Sequence, residues 1–291
     1  MSPDKRKKFM KITVPNYYVD YHMHSNNSSD AVSSVDEMCL AAIKNGIAEI
    51  AITDHFEPTP EDRAYSVYDQ KKYFEEMLAA RRKFGKQLEI KLGIELGQPQ
   101  YYKKETENML SKNSYDFILA SAHKRSDGTD MSQVDYTKIS TDEALEMYLD
   151  ELNNLVDGFD DFDCLGHLDL VKRYSCQVYN ENISLVQSRG KLETLLKKLI
   201  KKGKGIEINT SGLRQSSGET LPGFDVIKMY HELGGQILTV GSDAHRKEDL
   251  GKGIYEAYEI ARAAGFEYIT TFTNRQPEFI KIPDGVLTLG A

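Results

Sequence analysis

The chain has 291 residues with 37 basic and 45 acidic side chains, a formal net charge of −8, and 40% hydrophobic residues. That length suits one α/β barrel with long loops, since such barrels commonly take about 250 residues. The acidic balance is the wrong sign for a protein that binds by neutralising a nucleic-acid backbone, and no apolar run reaches the length of a membrane span, while a small anionic substrate stays admissible wherever the local charge is positive.

The chain opens on a basic run, Lys5-Arg6-Lys7-Lys8, without the apolar stretch of a signal peptide. Residues 1–12 read as a solvated tail ahead of a single domain over 13–291. The three cysteines, Cys39, Cys164 and Cys176, show no CxxC spacing and leave one over in any disulfide scheme, which fits a reducing cytoplasm. Cys39 and Cys164 sit in apolar runs and read as buried small hydrophobes.

Short apolar runs then alternate with amphipathic helical patterns, the signature of a parallel sheet built from βα units. Strands are predicted at 17–23, 48–53, 89–96, 117–122, 164–168, 205–209, 236–241 and 268–272. Helices are predicted near 35–45, 69–84, 102–112, 141–157, 185–202, 224–233 and 253–264. Gly46, Gly85, Gly158, Gly203, Gly234 and Gly265 end helices, each able to take the left-handed closing conformation, and most lead quickly into the next strand. The connections leaving the strands are longer, at 25–34, 56–68, 124–140, 171–184 and 210–223. In α/β barrels the site lies on that side, at the C-terminal ends of the strands.

The ionisable residues fall on the same side. His22 and His24, in Val19-Asp20-Tyr21-His22-Met23-His24, are two apart on a strand end and share a face, so their imidazoles can share one metal ion. Asp54 and His55 end Ile52-Thr53-Asp54-His55, Glu95 lies in Gly93-Ile94-Glu95, and His123 ends Ala120-Ser121-Ala122-His123. His167 and Asp169 follow in Gly166-His167-Leu168-Asp169, and Asp243 and His245 in Ser242-Asp243-Ala244-His245. Six of the seven histidines therefore gather at strand ends, and only His231 falls within a helix. A shared metal site requires such clustering; histidines scattered without regard to structure would not produce it.

Taken in order, these motifs resemble the polymerase and histidinol phosphatase (PHP) family. The runs Gly166-His167-Leu168-Asp169-Leu170-Val171-Lys172-Arg173-Tyr174 and Ile206-Glu207-Ile208-Asn209-Thr210 are similar to its monofunctional histidinol-phosphate phosphatases. The resemblance implies a distorted (β/α)7 TIM-like barrel, three divalent metal ions (zinc, manganese or iron), and hydrolysis of the small phosphate ester L-histidinol phosphate in histidine biosynthesis. It implies that His22, His24, Glu95 and Asp243 hold a first ion, that Glu95 bridges to a second held by His123 and His167, and that Asp30, His55 and His245 hold a third. Glu95, Asp243 and His245 would then be catalytic. Asp30, just ahead of a helix, has a capping alternative. Three divalent ions outweigh the charge of Glu95, Asp243 and Asp30, which leaves a pocket that attracts a phosphate dianion inside an acidic protein.

Arg173 matches the phosphatase run and Arg214 only approximately; both are candidate clamps for phosphoryl oxygens, with ordinary surface arginine as the alternative, and Asn209 either partners a ligand or the substrate or merely ends its strand. Asp54 and Asp169 are expected to fix histidine tautomers. The stretch with Phe56, Pro58, Pro60, Tyr65 and Tyr68 reads either as an aromatic lid or as rim packing, and Glu57, Glu61, Asp62 and Tyr65 are candidate acceptors for the substrate's ammonium and imidazole. Three other readings compete. A PHP phosphoesterase acting on nucleotides would want a basic approach track that the loops lack. An amidohydrolase-type barrel shares the first motif but ends on a lone aspartate, and a non-catalytic metal-binding module would not need every ligand position filled.

Overall fold

The computed structural model describes residues 11–12, 17–59 and 67–283. Its strands are β1 (Lys11–Ile12), β2 (Tyr18–Asp20), β3 (Ile47–Ile52), β4 (His55–Phe56), β5 (Glu89–Gly97), β6 (Phe117–Ser121), β7 (Cys164–Leu165), β8 (Gly205–Asn209), β9 (Leu238–Gly241), β10 (Tyr268–Thr273) and β11 (Gln276–Lys281). Its helices are α1 (Val35–Lys44), α2 (Gln70–Phe84), α3 (Lys103–Leu110), α4 (Thr141–Gly158), α5 (Val171–Tyr179), α6 (Arg189–Lys202), α7 (Phe224–Glu232) and α8 (Ile254–Ala263).

The strands β2-β3-β5-β6-β7-β8-β9 lie side by side in that order, every neighbour parallel. The first and last meet: Tyr21 N–H donates to Val240 O at 2.8 Å, Asp243 N–H to His22 O at 2.7 Å, and His24 N–H to Ala244 O at 2.9 Å. The wall therefore closes as the expected (β/α)7 barrel. The helices start where local chemistry starts them. Ser34 with Glu37 and Ser140 with Glu143 form reciprocal caps ahead of α1 and α4. Along α6, Leu192, Leu195, Leu196 and Leu199 recur at helical spacing and are fully buried, each contributing about 1.5–3 kcal/mol of transfer free energy.

Several expectations need correction. Gly46, Gly203, Gly234 and Gly265 do have positive φ, but Gly85, at φ −62°, and Gly158, the last residue of α4, do not. Crowding accounts for those two, because a Cβ would lie 2.5 Å from Arg81 O at Gly85 and 2.8 Å from Gln100 Cβ at Gly158. The strand expected at 164–168 stops at Leu165. The chain turns through His167, at φ +21°, and goes directly into α5, where a loop was expected. The stretches 124–140 and 210–223 wind into short 3-10 turns, Met131–Gln133, Tyr136–Lys138 and Thr210–Arg214.

The last predicted strand exists as β10 but is not in the barrel wall. It pairs antiparallel with β11, which pairs parallel with β1, in a separate three-stranded sheet. That sheet covers the N-terminal end of the barrel: Asn274 N–H donates to Asp116 Oδ1 at 3.0 Å, Arg275 Nε to Asp163 Oδ2 at 2.6 Å, and Leu238 N–H to Thr270 Oγ1 at 3.1 Å. Within the barrel, Phe272 N–H donates to Tyr21 Oη at 2.9 Å, and Tyr21 and Tyr17 both donate to the buried Glu49 carboxylate. All three cysteines are buried and unpaired, and no described helix is long and apolar enough to cross a membrane.

Candidate metal centre and active site

The end of the barrel away from this sheet carries a cavity of about 210 Å³, lined by Asp30, His55, Glu57, Glu95, His123, His167, Arg173, Asp243 and His245 among others. His22 and His24 are fully buried at its floor. Side-chain alternation along β5 brings Glu95 to the centre, where it is fully buried. Its Oε2 lies 3.0 Å from His55 Nδ1, 3.2 Å from His22 Nε2 and 3.5 Å from His24 Nε2. Its Oε1 lies 3.0 Å from His167 Nε2 and 3.2 Å from His123 Nε2, and accepts from Ser121 Oγ at 2.6 Å. Asp243 Oδ1 is 3.4 Å from His24 Nε2 and 3.6 Å from His22 Nε2. On the outer side, Asp30 Oδ2 is 3.2 Å from His245 Nε2 and 3.6 Å from His55 Nε2. All nine expected ligand residues thus converge. Asp30 caps no helix, because Ser34 does that for α1.

The electrostatics of this cluster ask for cations. Burial lowers the pKa of His22, but Glu207, Glu95 and Asp243 raise it further, well above the ordinary range. His123 follows the same pattern, with burial opposed by Glu95 and Glu57, and is pushed up to about 10. Burial would raise Glu95, yet His22, His123 and His55 hold it well below the usual carboxylate range. Burial together with His55 and His245 drives His24 the other way, so its neutral imidazole is free to donate a lone pair. His22 Nε2, His24 Nε2, His55 Nδ1 and Glu95 Oε2 are buried with no well-formed hydrogen bond. Among the described residues, four groups, His22–His24–Asp243, His22–Glu95–His167, His24–His55–His245 and His55–Glu57–His123, each offer ligand atoms within 4.8 Å of one another. Buried lone pairs so arranged fit divalent ions bound by imidazole and carboxylate.

Two residues with no expected role in orienting the histidines hold them in place. Glu207 Oε1 lies 2.7 Å from His22 Nδ1, and its Oε2 accepts His167 N–H at 2.8 Å. Gly241 makes this possible, since a Cβ there would lie 2.3 Å from His22 Cβ and 2.4 Å from Glu207 Oε1. Glu57, expected to meet the substrate, is instead buried with Oε1 2.6 Å from His123 Nδ1 and Oε2 accepting from Gln98 Nε2 at 2.7 Å. Each carboxylate fixes its imidazole with Nε2 toward the cavity. Glu207→Gln is accordingly expected to lower activity or metal affinity by about 10- to 100-fold while the protein stays folded, as checked by kinetics and metal titration.

Asp54 and Asp169 do not touch the histidines as expected. Asp54 accepts from Ser25 N, Ser25 Oγ and Ser28 Oγ, each at 2.7 Å, and so shapes the loop after β2; burial pushes its pKa up to about 6. Asp169 accepts from Gly223 N–H at 3.2 Å and pairs with buried Lys172 at 3.3 Å, with burial again pushing it up to about 6. Arg173 donates through Nη2 to Asp243 Oδ2 at 2.7 Å and Ser211 Oγ at 2.8 Å, at the cavity wall. Arg214 is not brought to the cavity: its 3-10 turn leaves it exposed, donating to Ser242 O at 2.7 Å. Asn209 sits behind the site, where its Nδ2 donates to Glu207 Oε2 at 3.2 Å. Of the expected lid, Tyr68 pairs with Tyr115 Oη at 2.7 Å and meets Phe56 edge-on at 6.0 Å, which is rim packing. Pro60, Glu61, Asp62 and Tyr65 lie outside the described residues, as do residues 1–10 of the basic tail.

The chain is similar to known proteins over most of its length. It is 29% identical over 260 residues to the histidinol-phosphatase of Lactococcus lactis, covering 88% of this chain and 94% of that one. It is 27% identical over 251 residues to a probable histidinol-phosphatase of Thermotoga maritima, covering 86% and 94%. The crystal structure of the histidinol phosphate phosphatase from Lactococcus lactis, complexed with zinc, L-histidinol and phosphate, matches with a TM-score of 0.79 at 28% identity, over 90% of this chain and 98% of that one. The PHP domain family model matches residues 20–211, and the chain belongs to that family.

Proposed function

We propose that this protein is a metal-dependent phosphatase that hydrolyses L-histidinol phosphate to L-histidinol and phosphate, a step of histidine biosynthesis. The observation that carries the reading is the full set of converging imidazoles and carboxylates, with Arg173 beside it, on a chain that matches histidinol-phosphatases nearly end to end. Three divalent ions are assigned: one to His22, His24, Glu95 and Asp243, a second to Glu95, His123 and His167, and a third to Asp30, His55 and His245. Zinc is the ion in the Lactococcus lactis structure. With free cysteines and no basic track, a cytoplasmic enzyme acting on a small ester, not on nucleic acid, is the consistent assignment.

Divalent ions bound in this cluster lower the pKa of water and stabilise charge on phosphoryl oxygens. The chain's own residues prepare that chemistry. Glu207 and Glu57 hold the imidazoles in one orientation, and burial of Glu95 keeps water from screening it. Arg173 brings a fixed guanidinium to the cavity wall, braced by Ser211 and by Gln215 Oε1 at 3.0 Å, where it can bind phosphoryl oxygens without reorganising. The test is phosphate release by purified protein with added Mn²⁺ or Zn²⁺ from L-histidinol phosphate, p-nitrophenyl phosphate and a nucleoside monophosphate. Histidinol phosphate is expected to lead in kcat/KM by about tenfold or more, roughly 1.4 kcal/mol of transition-state binding. Equal rates, or preference for the nucleotide, would replace this reading with a broader PHP phosphoesterase.

A further inference from the structure

Beyond the histidines and Arg173, the cavity is lined by Lys124, Asp130 and Tyr174. Lys124 and Asp130 face each other across a tight turn, in which Arg125 N–H donates to Thr129 O and Gly128 N–H to Arg125 O, both at 2.9 Å. The turn follows His123 directly, and Met131 N–H returns to His123 O at 2.8 Å, which ties Asp130 in position to the metal cluster. Tyr174 comes from α5, next to Arg173.

Among the described residues, the other carboxylates around the cavity are all engaged. Glu57 holds His123 and Gln98, Glu95 lies among five imidazoles, Asp243 holds Arg173, and Asp30 sits between His55 and His245. Asp130 differs. Its Oδ1 accepts Ser132 N–H at 2.8 Å and Ser132 Oγ–H at 2.5 Å, and its Oδ2 makes no hydrogen bond among the described residues. The Tyr174 phenol is near enough to feel that charge: burial raises its pKa, Arg173 lowers it, and Asp130 raises it.

We propose that Asp130, with the Tyr174 ring beside it, recognises the protonated amine of an aminoalkyl phosphate ester and so sets substrate specificity. The inference rests on the histidinol-phosphatase reading, because that substrate carries an ammonium on the carbon next to the one bearing the phosphoester. Arg173 and the expected metal ligands line the same cavity as Asp130, so an ester with its phosphate held there has its amine within the cavity whose wall carries, among the described residues, one uncommitted carboxylate oxygen. A charge-assisted hydrogen bond in a half-buried cavity, next to an aromatic ring, favours a cation there and disfavours a second anionic group.

Asp130→Asn separates charge from structure, since asparagine caps the Met131–Gln133 turn as well as aspartate does; Asp130→Ser, also a good cap, repeats the measurement. The two esters compared are L-histidinol phosphate and 3-(imidazol-4-yl)propyl phosphate, which lacks only the amine. The wild-type protein is expected to prefer the amine ester, and both variants to shrink that preference by about tenfold or more, mainly through KM. A preference unchanged in both variants, or absent from the wild-type protein, overturns the assignment of Asp130. A wild-type protein inactive on L-histidinol phosphate overturns the functional reading itself, and this inference with it.

Discussion

Glu95→Ala is expected to lower kcat/KM for L-histidinol phosphate by about 10³-fold or more, the largest effect of any single substitution in the cavity. Five imidazoles aim a nitrogen at this one carboxylate, three of them at Oε2 and two at Oε1. Among the described residues no other carboxylate stands at the centre, so its removal leaves neighbouring cations uncompensated at a buried position where screening by solvent is weak. Glu95→Gln keeps the volume and loses the charge, and it should fall nearly as far. Kinetics combined with elemental analysis of bound metal reads the result. A Glu95→Ala protein within about tenfold of wild type would remove Glu95 from the bridging role.

Stripping divalent ions with EDTA is expected to abolish activity, and added Mn²⁺ or Zn²⁺ to restore it. The same treatment should lower thermal stability, because an ion that binds only the folded chain stabilises it by about 4 kcal/mol at a thousand times its Kd. Rebinding should release protons: without cations the carboxylates hold them on His22, His55, His123 and His245, with His123 at about 10, and a metal must displace them. Protein shown by elemental analysis to be free of metal, yet still hydrolysing the substrate at the original rate, would exclude metal catalysis.

The barrel and the ligand set were legible because both leave periodic marks. Apolar strand runs alternate with helical stripes, and histidines sit where the strands end. What stayed hidden depends on contacts between distant strands. Glu207 interrupts an otherwise apolar strand, Ile206-Glu207-Ile208, and an acid on the inward face of a barrel strand was the one available signal for it. Its partners His22 and His167 are 185 and 40 residues away. Helix α5 was read as loop because its buried face is Val171, Lys172, Ser175 and Cys176, and a lysine and a serine hide the stripe. No side chain caps its start either. Arg214 looked like a clamp until its turn directed it to a backbone carbonyl, which spacing alone does not reveal.

The closing seam between β2 and β9 also governs when the protein can become active. Asp243 and His245 arrive more than two hundred residues after His22 and His24, and the bonds that join their strands are the ones that shut the cylinder. A growing polypeptide that has displayed only the early histidines has neither the partner carboxylate nor the walls that exclude solvent. Sealing and competence are therefore one late, long-range event, of the kind that slows folding because a large loop must be closed before any contact rewards it. The lower sheet joins that event through Phe272, whose backbone grips Tyr21 one residue ahead of His22, so the tail of the polypeptide fastens what its beginning set out.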